Sequence, residues 1–125
     1  MMIKILSTGK NYPHITFSGT RVKVATGTYE YHITQEGSGD YVSNFNEETH
    51  IPASTSSFNT ELTVINETNY EMKLHDEMYG ATYTLAPGNR KTFFNGDTRE
   101  VSLIVTYTSP NPPPQSVDVQ AIVMG

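Results

Sequence analysis

The sequence predicts an all-β domain: an antiparallel β-sandwich of two sheets, with about nine or ten short strands. Three observations carry that expectation. Apolar residues alternate with polar ones along most of the chain, the period of a half-buried strand. No segment repeats apolar residues at helical spacing over three turns. Thr, Ser and Asn make up more than a quarter of the residues, which suits strands with one wet face. A length of 125 residues holds one domain, spanning 1–125, and no second core.

The elements follow in order. Ile3 and Ile5 alternate with Met2 and Lys4; Ile15 and Phe17 flank Thr16; Val22 and Val24 flank Lys23. Tyr29, Tyr31 and Ile33 alternate with Glu30, His32 and Thr34. Leu62 and Val64 flank Thr63, and Tyr70, Met72 and Leu74 alternate with Glu71, Lys73 and His75. Val101, Leu103, Val105 and Tyr107 form the longest run, and Val117, Val119, Ala121 and Val123 close the chain. Val64, Leu74, Leu103 and Val105 are the expected centre of the core. Turns are expected at Ser18-Gly19, Gly27-Thr28, Asn66-Glu67-Thr68-Asn69 and Pro87-Gly88. Asn95-Gly96 is the strongest hairpin signal. A three-residue loop there, with Gly96 left-handed, puts Phe93 on one face with Val101 and Leu103 and sets Arg90 opposite Glu100.

Two segments read as connections. Ser109 to Pro114 is Pro-rich and stiff. Glu36 to Phe58 is long and polar, and connectors of that length in a small domain are usually functional.

Composition excludes several functions. There is no Cys, hence no disulfide, thiolate metal site or thiol catalysis. The formal charge is −5 with only 8 scattered Lys and Arg, which argues against nucleic acid. No stretch approaches ~20 apolar residues, so no transmembrane segment is expected. Met1–Ser7 is too short for a signal-peptide apolar region, and the expectation is a soluble chain, cytoplasmic or released. His14, His32, His50 and His75 have no metal-motif spacing, although His32 and His75 could meet on neighbouring strands. Asp40, Glu47 and Glu48, with Glu36 before them, lack the spacing of an EF-hand and read as solvated loop charge. Asn66-Glu67-Thr68 matches the glycosylation acceptor pattern, a match that often arises by chance. No Gly-x-Ser-x-Gly elbow is present, and no catalytic residue, metal or cofactor is expected. The chain is therefore read as a non-enzyme.

The aromatic inventory points to binding. There are 8 Tyr and 5 Phe but no Trp. Tyr12, Tyr41, Phe45, Tyr79 and Tyr83 lie outside clear core positions. Tyr41 and Phe45, flanked by Asp40, Asn44 and Asn46, combine a stacking face with hydrogen-bonding groups. These five residues are the expected ligand site, for a sugar or lipid head group. The competing expectation is that Tyr41 and Phe45 fold inward and plug the end of the sandwich.

From Glu61 the chain runs Glu61-Leu62-Thr63-Val64-Ile65-Asn66-Glu67-Thr68, Met72-Lys73-Leu74, Tyr83-Thr84-Leu85-Ala86-Pro87-Gly88, then Phe93-Phe94 and the strand from Val101. This order is similar to many Ig-like domains. It also resembles the aegerolysin and actinoporin-like group of small β-sandwiches, which includes lipid-binding cytolysins and lectins. The resemblance covers the second half of the chain. It implies a lectin-like or cytolysin-like (toxin-like) module with a polar–aromatic loop surface for a glycan or a membrane lipid head group. The alternative is a structural or assembly protein, a virion, appendage or inclusion component, that acts as a homo-oligomer through strand edges.

Overall fold

The computed structural model describes residues 2–6, 14–55, 59–110 and 120–124, with side chains for 14–55 and 59–110. Among the described residues eleven strands form: β1 Met2–Leu6, β2 His14–Ala25, β3 Thr28–Glu36, β4 Tyr41–Val42, β5 Phe45–Ile51, β6 Thr60–Asn66, β7 Met72–Asp76, β8 Ala81–Leu85, β9 Arg90–Asn95, β10 Val101–Tyr107 and β11 Gln120–Met124. Nine of them build the two sheets of a β-sandwich, in the orders β4-β2-β3-β6-β9 and β5-β10-β7-β8. The terminal strands β1 and β11 pair antiparallel in a two-stranded sheet of their own, Ile3 opposite Val123. The proline-rich residues from 111 on, with Val117, Val119, Tyr12 and Phe58, lie outside the described residues.

Alternation places the core where it was expected. Tyr31 and Ile33, Leu62 and Val64, and Phe93 project from the five-stranded sheet. Ile51, Met72 and Leu74, Leu85, and Val101, Leu103 and Val105 meet them from the other. Val64, Leu74, Leu103 and Val105 are each fully buried. The abundant hydroxyls lie mainly on the wet face: Ser18 and Thr34 approach to 3.1 Å across β2 and β3, and Thr63 and Thr92 to 2.8 Å across β6 and β9. Val22 pairs with Glu30 and so shares that outer face, where it and Val24 are exposed. Each flank is closed by a cation over a ring. Arg21 sits on Tyr29 and donates to the His50 carbonyl at 2.8 Å, joining β2 to β5. Lys91 sits 4.2 Å from the centre of Tyr83, which packs edge-on against Phe93.

Several expectations are corrected. The sheets are mostly antiparallel, as expected, but two pairings are parallel, β3 with β6 and β2 with β4. The chain crosses to the other sheet as β5 and returns as β6 in the direction of β3, which a run of simple hairpins would not produce. Ser18-Gly19 is not a turn but the middle of β2. Its glycine has a different reason. A Cβ on Gly19 would lie 1.7 Å from the Tyr31 hydroxyl oxygen, so the missing side chain is the space that the buried ring occupies. Burial, with the Glu47 carboxylate beside it, holds the Tyr31 phenol well above its usual pKa.

The Asn95-Gly96 hairpin does not form. β9 pairs with β6, setting Arg90 opposite Ile65, and β10 pairs with β5 and β7 in the other sheet. Gly96 is not left-handed; among the described residues positive φ falls at Gly27, Gly37, Gly39, Gly80 and Gly88. Gly27 and Gly88 sit at turns that the sequence marks. Phe93 and Leu103 do share a core, but they reach it from opposite sheets.

Leu103→Ala is expected to cost about 2–5 kcal/mol, as a fully buried leucine should. Gly19→Ala is expected to cost about 1–3 kcal/mol, because the Tyr31 ring must leave its slot. Ser18→Ala, one residue away on the wet face, should stay within about 0.5 kcal/mol. Urea midpoints of the three variants check the assignment.

Candidate functional site

Two tight turns face each other at one end of the sandwich. The first, between β7 and β8, is built on Asp76. Its carboxylate is buried at 4% exposure, and Oδ1 accepts the Met78 amide at 2.9 Å and the Tyr79 amide at 3.4 Å. Gly80, at φ 65°, returns its amide to the Asp76 carbonyl at 2.8 Å. An aspartate that binds the backbone two residues on is a self-contained turn. It holds Met78 and Tyr79 outward, Tyr79 at 74% exposure.

The second, between β9 and β10, starts from Asn95. Its Oδ1 accepts the Asp97 amide at 2.8 Å, and Asp97 Oδ1 accepts the Arg99 amide at 3.1 Å. Asp97 Oδ2 lies 3.4 Å from the Arg99 guanidinium, whose hydrogen bond holds the Asp97 carboxyl below its ordinary pKa. The Glu77 amide donates to the Ser102 carbonyl at 3.1 Å and ties the turns together. Between them is a shallow pocket of about 350 Å³ lined by Glu77, Met78, Arg99, Glu100, Val101 and Ser102. Its lining brings together two acids, Glu77 and Glu100, the cation Arg99, the hydroxyl residue Ser102 and the apolar Met78 and Val101. Tyr79, in the same turn as Glu77 and Met78, is not itself a lining residue; it stands beside them, largely in solvent.

The residues predicted from sequence lie elsewhere. Glu36–Phe58 is not one long connector: it contains β4 and β5, and β5 pairs with β10 along its full length. Phe45 faces inward, 8% exposed, with its ring edge-on to Phe17. It is a core residue and presents no ring to a ligand. Phe17, Tyr70 and Tyr107 complete an edge-to-face cluster with ring centres 5.2–5.6 Å apart. Phe45 thus plugs the far end of the sandwich, the competing expectation. Tyr41 is half-buried in β4, opposite His14. Asp40, Asn44 and Asn46 are exposed. Asn44 accepts the Ser109 amide at 2.7 Å, and Asn46 lies opposite Thr106 on the outer face of the four-stranded sheet. The structure therefore does not gather the five onto one surface.

His32 and His75 do not meet, because β3 and β7 belong to different sheets. Asn66 is fully buried, so the Asn66-Glu67-Thr68 pattern offers no accessible amide in the folded chain. Among the described residues no group of three or more His, Cys, Asp or Glu is placed to hold a metal ion. No helix among them is long and apolar enough to cross a membrane. Compared with protein-family models, curated proteins and solved structures, the chain matches none.

Tyr79 was already visible in the sequence as an aromatic outside the core. Arg99, Glu100 and Glu77 carried no signal, because only the crossing of β9 to β10 brings them beside the β7–β8 turn.

Asp76→Ala removes the acceptor for two backbone amides and is expected to cost about 1 kcal/mol. Hydrogen exchange should show the Met78 and Tyr79 amides losing protection while amides of β3 keep theirs.

Proposed function

We propose that the chain is a non-enzymatic recognition domain whose ligand is a neutral carbohydrate, bound at the pocket between the β7–β8 and β9–β10 turns. The observation that carries this reading is Tyr79, a large ring left almost wholly in water on a turn pinned by Asp76. A sugar presents an apolar C–H face to such a ring and a fringe of hydroxyls to neighbouring polar groups. Glu77 and Glu100 would accept from those hydroxyls, and Arg99 and Ser102 would donate. Both turns are fixed by side-chain-to-backbone hydrogen bonds, so little ordering cost falls on binding. The charge balance favours a neutral sugar over a lipid head group. Arg99 is already paired with Asp97, and with Glu77 and Glu100 the rim is net acidic, which repels a phosphate-bearing head group. The resemblance to small lectin-like sandwiches points toward recognition as well.

The assembly reading has its own supporting observation. β1 and β11 form a two-stranded sheet, and a ribbon of two strands alone is marginal in water. A neighbouring copy that extended it would supply the missing strands. Large assemblies of the full chain in light scattering, with no glycan retained, would favour that reading.

The test is retention on an array of neutral glycans, run beside vesicles carrying phosphate-bearing head groups. Tyr79→Ala is expected to lower glycan affinity roughly tenfold, the equivalent of about 1.4 kcal/mol, with an unchanged melting temperature. Arg99→Ala should weaken binding in the same way. No retained glycan, or a Tyr79→Ala protein that binds like the parent, would overturn the proposal.

A further inference from the structure

The outer face of the five-stranded sheet carries a second arrangement, unrelated to the pocket. His32 lies in β3 with a carboxylate at each ring nitrogen. Nδ1 is 2.6 Å from Glu67 Oε2, and Nε2 is 2.9 Å from Glu30 Oε1. A carboxylate only accepts hydrogen bonds, whereas a neutral imidazole has one N–H and one lone pair. Two carboxylates at these distances are satisfied together only by the imidazolium, which donates from both nitrogens. In the neutral ring one lone pair would face a carboxylate oxygen at hydrogen-bond distance, and that contact must open.

Glu67 belongs to the crossover between β6 and β7. Its amide donates to the Ile33 carbonyl at 2.8 Å, and the Asn69 amide donates to Gln35 Oε1 at 2.8 Å. The crossover is therefore stitched to β3 by one backbone hydrogen bond, by the Gln35 side chain and by His32. It also carries Tyr70 into the aromatic plug. We propose that Glu30, His32 and Glu67 form a proton-operated latch on the β6–β7 crossover, closed when His32 is an imidazolium and open when the neutral ring keeps its proton on Nε2, toward Glu30, and turns the Nδ1 lone pair on Glu67.

The surroundings leave the two acids in control. Opposite His32 across the sheet stand Thr20 on β2 and Ile65 on β6, neither of which titrates. The nearest cation in that row is Arg90 on β9, on the far side of Ile65. The hydrogen bond to Glu67, supported by Glu30 and opposed by partial burial, holds the imidazole above its ordinary pKa. A group whose pKa is raised on folding contributes stability that is fully present below its unfolded value, about 6.5 for histidine. That contribution is lost as pH rises through the folded value. The latch is thus shut in mild acid and opens toward alkaline pH.

Two-dimensional NMR of the full chain tests this by following the His32 ring carbons and the amides of the crossover through a pH titration. The His32 midpoint should lie above 6.5, and Glu67→Gln and Glu30→Gln should each bring it down. The protection of the Glu67 and Asn69 amides, corrected for intrinsic exchange, should fall as pH passes that midpoint in the parent. In Glu67→Gln it should stay flat. A parent midpoint at or below 6.5, a midpoint unmoved by both variants, or crossover protection that ignores pH would overturn the proposal. None of these readings depends on a glycan, so the latch and the carbohydrate site fail separately.

Discussion

Two buried carboxamides hold the sandwich at its ends. Asn66 is the last residue of β6 and Asn95 the last of β9, and from each the chain leaves the five-stranded sheet for the other. Asn66 is 0% exposed and its side chain is fully used. Nδ2 donates to the carbonyls of Tyr70 at 2.7 Å and Leu85 at 3.1 Å, while Oδ1 accepts the amide and the hydroxyl of Thr68. Its own backbone bonds Gly88 and Asn89 in the β8–β9 turn. Asn95 does the same at the opposite end. Its Nδ2 reaches the carbonyls of Pro52 at 3.0 Å and Arg99 at 2.8 Å, with Ile51 at 3.3 Å. The Thr60 hydroxyl also donates to Pro52. A crossing chain must turn under the sheet edge, where its amides and carbonyls are shut away from water. Each asparagine supplies the donors and acceptors that water would otherwise provide.

The surface features descend from these two residues. Asn95 orders Asp97, Asp97 orders Arg99, and Arg99 lines the pocket with Glu77 and Met78 of the β7–β8 turn. Asn66 orders Thr68, whose hydroxyl accepts the Tyr70 amide at 3.1 Å, and Tyr70 closes the aromatic plug. Glu67, between them, is the residue that His32 holds. Rigid ends therefore have opposite outcomes: one is sealed with rings, and the other presents a ring to solvent. The difference lies in parity. Phe45, Tyr70 and Tyr107 fall on inward positions of their chain segments, whereas Tyr79 falls in a turn whose backbone is already satisfied by Asp76.

Strands and core were legible because alternation is a local property. Leu103 and Val105 could be assigned an inward face from their own neighbours. Partners were not legible, because pairing is set by contacts between distant segments. Asn95-Gly96 has the composition of a tight hairpin, yet the carboxamide of Asn95 is buried among the carbonyls of Ile51, Pro52 and Arg99, the first two of which come from a distant segment. The glycine of Ser18-Gly19 looked like a bend because its true constraint, the Tyr31 ring, comes from the next strand. Tyr41 and Phe45 looked like loop residues because Asp, Asn and Ser surround them. In fact β5 is the strand that faces β2 on the flank, and its outward positions are polar for that reason. The pocket was the least legible feature, since Glu77 and Glu100 are adjacent only in space.

The buried carboxamides, and not the turn sequences around them, fix the crossings. Equilibrium urea unfolding of Asn95→Ala, against Asn46→Ala as an exposed control, tests it most directly. Asn95→Ala strands several carbonyls and one amide and should lose about 2–4 kcal/mol, while Asn46→Ala should stay within about 0.5 kcal/mol. An Asn95→Ala protein as stable as Asn46→Ala would contradict the account.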